Sequence, residues 1–161
     1  MKTAVVYFSW SGNTRFAAET IAKKTGTDLF EIKPEAPYNG DFGKCCDEAK
    51  PECQGKTLRS IKPIEGLDLA KYDVVFVGSP NWWGTIAPPV ATFLATHALD
   101  GKTLIPFFTH GSGGMQNCER DARELAAKAN VLKAEAFLGS GVKSASRQIE
   151  DFVRDRVVIG K

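Results

Sequence analysis

Residues 4–14, with the sequence AVVYFSWSGNT, decide how the rest of the chain is interpreted. The apolar run from Ala4 to Phe8 is typical of a buried strand, and a helical pattern begins near Arg15. Between strand and helix lies a turn, residues 9–14, that is rich in hydroxyl groups. The first turn of a helix has free N–H groups, and the helix dipole adds positive potential there. The stretch therefore predicts either an anion-binding site or an ordinary helix N-cap.

The residues of this turn suit a single phosphate group. Ser9, Ser11 and Thr14 supply hydroxyl donors. Gly12 permits a positive φ and a close approach of the backbone to a ligand, and Asn13 tolerates the left-handed conformation. The turn has neither the GxxxxGKS/T pattern of nucleoside triphosphate sites nor the GxGxxG pattern of dinucleotide sites. We therefore expect one terminal phosphate as the anion, if the turn binds one.

Length and composition indicate one domain over residues 1–161, because 161 residues with 43% hydrophobic side chains can bury a sizeable core. The net charge of +2 and the absence of a basic block give no indication of a nucleic-acid partner. The apolar run near Ala4 is too short for a signal peptide or a membrane span. We expect a cytoplasmic protein without a membrane partner and with reduced thiols.

The cysteines are interpreted as packing residues. The chain has four of them, at Cys45, Cys46, Cys53 and Cys118. No CxxC pair is present and the histidines lie far from the first three cysteines, so we predict no metal site. The spacing i, i+3, i+4, i+7 puts four side chains on one apolar face of a short helix: Phe42, Cys45, Cys46 and Ala49.

Strand and helix patterns alternate about five times along the chain. The expected strands are 4–8, 28–32, 74–78, 103–109 and 131–137, and the expected helices are 15–25, 41–50, 87–100, 117–129 and 144–158, the last packing Ile149, Phe152, Val153 and Val157. This alternation predicts an α/β fold with a doubly wound, five-stranded parallel sheet. Right-handed crossovers place every strand-to-helix loop at one edge of such a sheet, where ligands bind.

Three loops with unusual chemistry should meet at that edge: 9–14, 79–85 and 109–114. Trp82 and Trp83 have planar faces that suit stacking on a flat heterocycle, although they could instead seal the end of the sheet as core residues. Glycines in the second and third loops allow the backbone to line the edge of a ring: Gly84, Gly111, Gly113 and Gly114. The three loops together favour a ligand that joins a planar ring to a phosphate.

The sequence resembles the flavodoxin family in three motifs, YFSWSGNT at 7–14, GSPNWWGTIAPP at 78–89 and FFTHGSGG at 107–114. The resemblance extends over the β–α order of the whole chain. It implies the flavodoxin-like strand order 2-1-3-4-5 with FMN at the switch point of the sheet. The first motif is similar to the phosphate loop of that family, the second to the loop that flanks the flavin and contacts its N5, and the third to the loop that holds the pyrimidine edge.

The resemblance also implies which residues contact FMN. They are Ser9, Trp10, Ser11, Gly12, Asn13 and Thr14 in the first loop; Ser79, Pro80, Asn81, Trp82, Trp83, Gly84 and Thr85 in the second; and Thr109, His110, Gly111, Gly113 and Gly114 in the third. The third loop lacks the aromatic residue that many flavodoxins place over the outer flavin face. That face is either open here or covered by a residue of segment 34–57, such as Tyr38 or Phe42.

Three functions remain open at this stage. The first is an FMN-binding electron-transfer protein whose partners are a reductase that donates electrons and an acceptor protein. The alternative is an FMN-dependent reductase of a quinone, a tetrapyrrole or another planar substrate, with His110 as a proton donor. The third is an interaction module without flavin, in which the tryptophans form a partner-binding patch. Flavodoxins are strongly acidic whereas this chain carries +2, so the usual acidic docking face is not expected.

Overall fold

Strands and helices alternate along the chain in the computed structural model, which describes the backbone of residues 1–159 and the side chains of residues 1–156. The strands are β1 (Thr3–Tyr7), β2 (Asp28–Glu31), β3 (Val74–Trp82), β4 (Thr85–Ile86), β5 (Thr103–His110), β6 (Asn130–Val131) and β7 (Glu135–Leu138). The helices are α1 (Asn13–Thr25), α2 (Phe42–Gly55), α3 (Pro88–Thr96), α4 (Cys118–Leu125) and α5 (Ser146–Ile159). Short 3-10 turns lie at Leu69–Lys71 and Gly139–Ser144.

The sheet has its strands in the order β2-β1-β3-β5-β6, with β7 also paired to β5. All of these pairings are parallel, whereas the two-residue β4 pairs antiparallel with the end of β3 as a hairpin. When β6 and β7 are counted as one interrupted strand, the order of the principal strands is the predicted 2-1-3-4-5. The continuous apolar run of β3 lies between β1 and β5 at the centre of the sheet, as a strand buried on both faces should.

The last strand differs from the continuous strand predicted over 131–137, because a β-bulge interrupts it. Leu104 pairs with Val131, and Phe107 pairs with Glu135. The chain thus advances by four residues on one strand while it advances by three on the other, which leaves one extra residue on the outer strand. A bulge of this kind changes which side chains face each side of the sheet, and the apolar pattern alone does not reveal it.

Two hydrophobic cores lie on opposite faces of the sheet. One contains apolar side chains of α1 and α5, and the other contains those of α2, α3 and α4. In α5 the predicted packing residues Ile149, Phe152 and Val153 are buried, and Val157 lies outside the residues whose side chains are described. Among residues 1–159, no helix has the length and apolar character needed to cross a membrane.

Helix α2 is longer than predicted, and its buried face is different. It runs from Phe42 to Gly55 rather than over 41–50, continuing through Pro51. Its start is fixed by Asp41, whose carboxylate accepts the Lys44 N–H at 3.0 Å. The ends of the later helices also shift, since α4 stops at Leu125 instead of residue 129 and α5 begins at Ser146 instead of residue 144.

The prediction that Phe42, Cys45, Cys46 and Ala49 form one core face is therefore wrong. The buried residues of α2 are Cys45, Ala49 and Cys53, at i, i+4 and i+8. Phe42 is 72% exposed and Cys46 is half-buried. The packing interpretation holds for Cys45, Cys53 and Cys118, which are buried free thiols.

Candidate functional site

A cavity of about 460 Å³ lies at the carboxyl edge of the parallel sheet. Its volume is within the range of about 300–1,000 Å³ that is common for small-ligand sites. The loops that follow β1, β3, β5 and β7 line it, together with one side of α2. The lining residues are Trp10, Ser11, Asn13, Thr14, Phe42, Cys45, Cys46, Ala49, Pro80, Asn81, Trp82, Trp83, Thr109, His110, Gly111, Gly139 and Ser140.

One end of the cavity is formed by the start of α1. Gly12 precedes the helix with φ of 101° and offers no side chain to cap it. The first-turn N–H groups, which have no intrahelical partner in any α-helix, therefore have no side-chain cap either. The Ser9 hydroxyl accepts the Gly12 N–H at 3.1 Å, which fixes the turn. The Thr14 and Thr109 hydroxyl oxygens lie 2.7 Å apart and join α1 to the end of β5. This end presents N–H and O–H donors, which are groups that bind an anion.

Trp83 and Gly84 form the two-residue turn of the β3–β4 hairpin. Trp82 pairs with Thr85 across this hairpin, and the φ angles of Trp83 and Gly84 are 55° and 83°. Positive φ at both central positions is the type I′ turn, for which Asn-Gly is the preferred sequence. A tryptophan in this conformation is strained by about 1–3 kcal/mol. The turn holds Trp83 at the cavity with 49% of its surface exposed.

The two adjacent tryptophans have different surroundings. The Trp82 ring meets the Phe8 ring edge-on at 5.4 Å and the Tyr38 ring at 4.9 Å, so Trp82 is at once a core residue and a cavity wall. Trp83 instead donates its indole N–H to the Cys46 carbonyl at 3.1 Å. The core interpretation of the tryptophans thus applies to Trp82, and stacking of either tryptophan on a ligand ring stays a prediction; Trp83 contacts α2 and lines the cavity.

Asn81 ties the second loop to the third. Its side-chain oxygen accepts the Gly84 N–H at 3.0 Å. Its side-chain nitrogen donates to the Gly114 carbonyl at 2.8 Å and to the Gln116 side-chain oxygen at 2.9 Å. Asn81 lines the cavity, yet its amide group is used to hold the two loops together, so it positions the neighbouring Trp83-Gly84 turn.

His110 begins the third loop and is also bound to it. Its Nδ1 accepts the Gly114 N–H at 3.1 Å, which closes the loop across residues 110–114. The imidazole lines the cavity and is half-buried. His110 therefore combines a structural bond inside the loop with a position at the ligand site.

Seven of the predicted contact residues lie outside the cavity lining: Ser9, Gly12, Ser79, Gly84, Thr85, Gly113 and Gly114. Several of them hold the loops instead. The Ser79 hydroxyl oxygen accepts the Ala87 N–H at 3.0 Å at the start of α3, and the Thr85 hydroxyl donates to the buried Asp121 carboxylate. The Gly84 carbonyl accepts the Asn117 N–H at 3.0 Å. Direct ligand contact by these seven residues stays a prediction.

Two groups of lining residues were not predicted as site residues. The first is Cys45, Cys46 and Ala49 of α2, whose spacing was noted but assigned to the core; Phe42 of the same helix had been considered as a possible cover of the flavin. The second is Gly139 and Ser140, which follow β7. A Cβ atom on Gly139 would lie 2.8 Å from the Asn13 side-chain nitrogen and 3.3 Å from the His110 carbonyl oxygen, so a larger residue here would have to displace the Asn13 side chain. A run of small residues after the last strand, Gly139-Ser140-Gly141, was the signal available in the sequence.

Helix α2 lines one side of the cavity. Phe42 lines the cavity, whereas Tyr38 packs behind Trp82 and is not part of the lining. Indole N–H groups tie this segment to two of the loops, because Trp10 donates to the Asn39 carbonyl at 3.1 Å just as Trp83 donates to Cys46. Segment 39–49 is therefore joined by hydrogen bonds to the first and second loops.

None of the described lining residues is a lysine, an arginine, an aspartate or a glutamate. Burial raises the pKa of the Cys45 thiol to about 11, so this cavity residue stays a neutral thiol. An anion at the start of α1 would be held by neutral N–H and O–H donors. The arrangement suits an elongated ligand with an anionic group at one end and a planar, mainly apolar ring between the aromatic residues at the other.

Comparisons with known proteins agree with this geometry. The sequence model of the flavodoxin family matches residues 2–154. A flavoprotein from Lactobacillus acidophilus NCFM, crystallised in complex with FMN, is 31% identical with a TM-score of 0.72, over 89% of this chain and 97% of that one. A flavoprotein structure from Bacteroides uniformis ATCC 8492 is 28% identical with a TM-score of 0.80, over 92% and 97% of the two chains. Another, from Bacteroides eggerthii DSM 20697, is 29% identical with a TM-score of 0.76, over 92% and 98%. Because the family model spans nearly the whole sequence, the protein belongs to the flavodoxin family.

Proposed function

We propose that the protein binds FMN and transfers electrons between partner proteins. The observation that carries this proposal is the cavity itself, which is lined both by a helix N-terminus without a side-chain cap and by two tryptophans. The FMN complex of the Lactobacillus acidophilus flavoprotein supports the choice of ligand, since the two chains are 31% identical. FMN has one phosphate, which matches a turn without a dinucleotide pattern.

The residues of the site divide into three roles under this proposal. Ser11, Asn13 and Thr14, with the first-turn N–H groups of α1, bind the phosphate. Trp82 and Trp83 contact the ring. Cys45, Cys46 and Ala49 of α2 exclude water from one side of the ring. Bound FMN supplies the redox chemistry, and the protein sets its environment.

The proposal includes partners of a particular kind. The electron donor is a separate reductase and the acceptor is a second protein. Neither nucleic acid nor a membrane is a partner under this proposal. The proteins meet in the cytoplasm under this proposal, where the four cysteines stay reduced. With a net charge of +2, association does not depend on the strongly acidic surface of typical flavodoxins.

The proposal is tested by identifying and titrating the flavin. The purified protein is expected to be yellow and to release FMN on denaturation, as resolved from FAD and riboflavin by chromatography. Protein stripped of flavin is then titrated with FMN, riboflavin and FAD, following the quenching of flavin fluorescence. We expect the tightest binding for FMN; release of FAD, or no binding of any flavin, would contradict the proposal.

A second candidate function is the reduction of a planar substrate such as a quinone. The observation that favours it is the exposure of two aromatic residues at the cavity, Phe42 at 72% and Trp83 at 49%. Exposed aromatic faces beside a flavin site could stack on a second planar ring. Chemically reduced protein would be mixed with a quinone series under anaerobic conditions. Saturable, fast reoxidation that is lost in Phe42→Ala would favour the reductase over the carrier.

A further inference from the structure

The hydrogen bond made by His110 defines the chemical state of its ring. The Gly114 backbone N–H points at Nδ1 at 3.1 Å, and a backbone amide can only donate. Nδ1 must therefore be the acceptor, with its lone pair towards Gly114. In a neutral imidazole one nitrogen accepts and the other carries the proton, so the proton of His110 is on Nε2.

This state limits what His110 can do at the cavity. A neutral ring protonated only at Nε2 can donate a hydrogen bond, but loss of that proton would leave an imidazolate. The ring is thus suited to donate a hydrogen bond without transferring its proton. This differs from the proton donor considered for a reductase on the basis of the sequence.

The Nε2–H of His110 differs from the other polar groups of this segment in its hydrogen bonding. In the described part of the chain, the Gly114 N–H is the partner that the structure gives to the imidazole. The ring lines the cavity, and its neighbours there, Thr109 and Gly111, belong to the same segment. The Thr109 hydroxyl is already paired with Thr14. Of the side chains in this segment that line the cavity, the imidazole is the one with an N–H that has no partner among the described residues.

We propose that His110 is a positioning residue, held as the Nε2–H tautomer by Gly114, and that its N–H donates to an acceptor atom of the ring bound in the cavity. The acceptor would be a carbonyl oxygen or an unprotonated ring nitrogen of a planar heterocycle. The inference rests on the proposed binding of FMN. The His110 N–H would favour heterocycles that carry an acceptor atom facing it and disfavour apolar rings of the same shape.

Two substitutions separate the bond to Gly114 from the bond to the ligand. In His110→Asn the side-chain oxygen lies about where Nδ1 lies, so it can accept from Gly114 but offers nothing at the Nε2 position. In His110→Gln the side-chain nitrogen lies about where Nε2 lies, so it can donate to the ring but loses the bond to Gly114. Both variants are titrated with FMN and with riboflavin, which has the same ring without the phosphate, and near-ultraviolet circular dichroism checks their folding.

We expect His110→Asn to weaken FMN and riboflavin equally, by about tenfold, since one hydrogen bond to the ring is lost. His110→Gln should stay within about threefold of the wild type for both flavins. The opposite order, with asparagine tight and glutamine weak, would show that the histidine only closes its loop and would overturn the inference. A loss for FMN with none for riboflavin would also overturn it, because the histidine would then act on the phosphate.

The tautomer is measured without any ligand. Long-range ¹H–¹⁵N correlation spectra of the flavin-free protein distinguish a protonated from an unprotonated ring nitrogen, and His97→Gln assigns the signals of the second histidine. We expect Nδ1 of His110 to be unprotonated and Nε2 to be protonated. The reverse tautomer would overturn this inference and leave the proposed function intact. Failure of the wild type to bind either flavin would overturn both.

Discussion

At the scale of single residues, Thr14 has the most demanding environment in the candidate site. It is 2% exposed, it lies in the first turn of α1, and its hydroxyl pairs with that of Thr109 at 2.7 Å. Replacing it with valine keeps the shape and removes the hydroxyl. We expect Thr14→Val to weaken FMN about tenfold or more, since a hydrogen bond to a charged group contributes about 1.5–3 kcal/mol. Riboflavin should bind nearly as well as before, because it lacks the phosphate.

Thr14→Ser is the matched control, because it keeps the hydroxyl and loses only a methyl group. Ser11→Ala tests a second hydroxyl that lines the cavity on the exposed side of the turn. Fluorescence titration with both flavins measures each variant. If Thr14→Val weakened FMN and riboflavin by the same factor, the phosphate would have to lie elsewhere.

The buried thiols should make the free energy of unfolding depend on pH in the alkaline range. Burial raises the pKa of Cys53 and of Cys118 to about 12, from the ordinary value of 9.0. Between these values the folded protein keeps protons that the unfolded chain has lost. The free energy of unfolding should thus be fully maintained below about pH 9 and should decrease as the pH rises towards about 12.

Urea unfolding at a series of pH values from neutral to moderately alkaline measures this dependence. Cys118→Ala removes one of the thiols, so its stability should decline less steeply than that of the wild type. Cys46→Ala is the control, since Cys46 is half-buried and the three buried thiols remain. A decline of equal slope in Cys118→Ala and in the wild type would show that the thiol does not contribute.

At the scale of elements, the β3–β4 hairpin places the Trp83 ring at the cavity, and the strained backbone of Trp83 reduces the stability of the fold. Trp83 has a φ of 55°, which asparagine adopts at lower cost in a type I′ turn. We expect Trp83→Asn to stabilise the flavin-free protein by about 1 kcal/mol and to weaken FMN and riboflavin alike. Thermal unfolding without flavin and fluorescence titration measure the two effects.

Trp82→Ala provides the contrast within the same hairpin. Its ring packs against Phe8 and Tyr38, so its removal should destabilise the fold by about 2–3 kcal/mol, less than for a fully buried tryptophan. If Trp83→Asn destabilised the flavin-free protein while Trp82→Ala did not, the roles assigned to the two tryptophans would be reversed.

The elements also show what the sequence could predict. Strand β3 and the turn after β1 were predictable because a continuous apolar run and a hydroxyl-rich turn depend on local chemistry. The bulge between Val131 and Glu135 was not, since it depends on pairing with a strand far away in sequence. The role of α2 was missed for a related reason: Cys46 and Ala49 face a cavity that exists only after the sheet has formed, and small apolar residues look the same in a core and in a cavity wall.

The three site loops were predictable as a group because parallel strands bring their carboxyl ends to one edge. Which residues of each loop line the cavity, and which instead hold the loop in place, was not predictable. Asn81 and Ser79 both have hydrogen-bonding side chains, but one lines the cavity and the other bonds to the start of α3. Which of the two outcomes applies depends on the direction of each side chain, and single-residue preferences do not determine it.

At the scale of the whole molecule, the three loops of the candidate site lie at one edge of the sheet, and the sequence has no GxGxxG pattern for a dinucleotide. We therefore expect NADH or NADPH alone to reduce the bound FMN only very slowly, and a separate reductase to be required. Anaerobic stopped-flow mixing follows the loss of the oxidised flavin absorbance. Chemical reduction with dithionite is the control that the flavin can be reduced. Fast, saturable bleaching by NADPH would favour the reductase over the carrier.

The uncharged lining of the cavity has a consequence for ionic strength. Attraction between opposite charges in water is screened over about 10 Å at 0.1 M salt, whereas short hydrogen bonds to N–H and O–H groups are not. No lysine or arginine is among the described lining residues. The phosphate therefore has no ion pair with a basic side chain of the lining that salt could screen. We expect the FMN dissociation constant to change by less than about threefold between 0.02 and 0.5 M salt, at roughly constant pH. The protein would then retain FMN equally well at low and at high ionic strength.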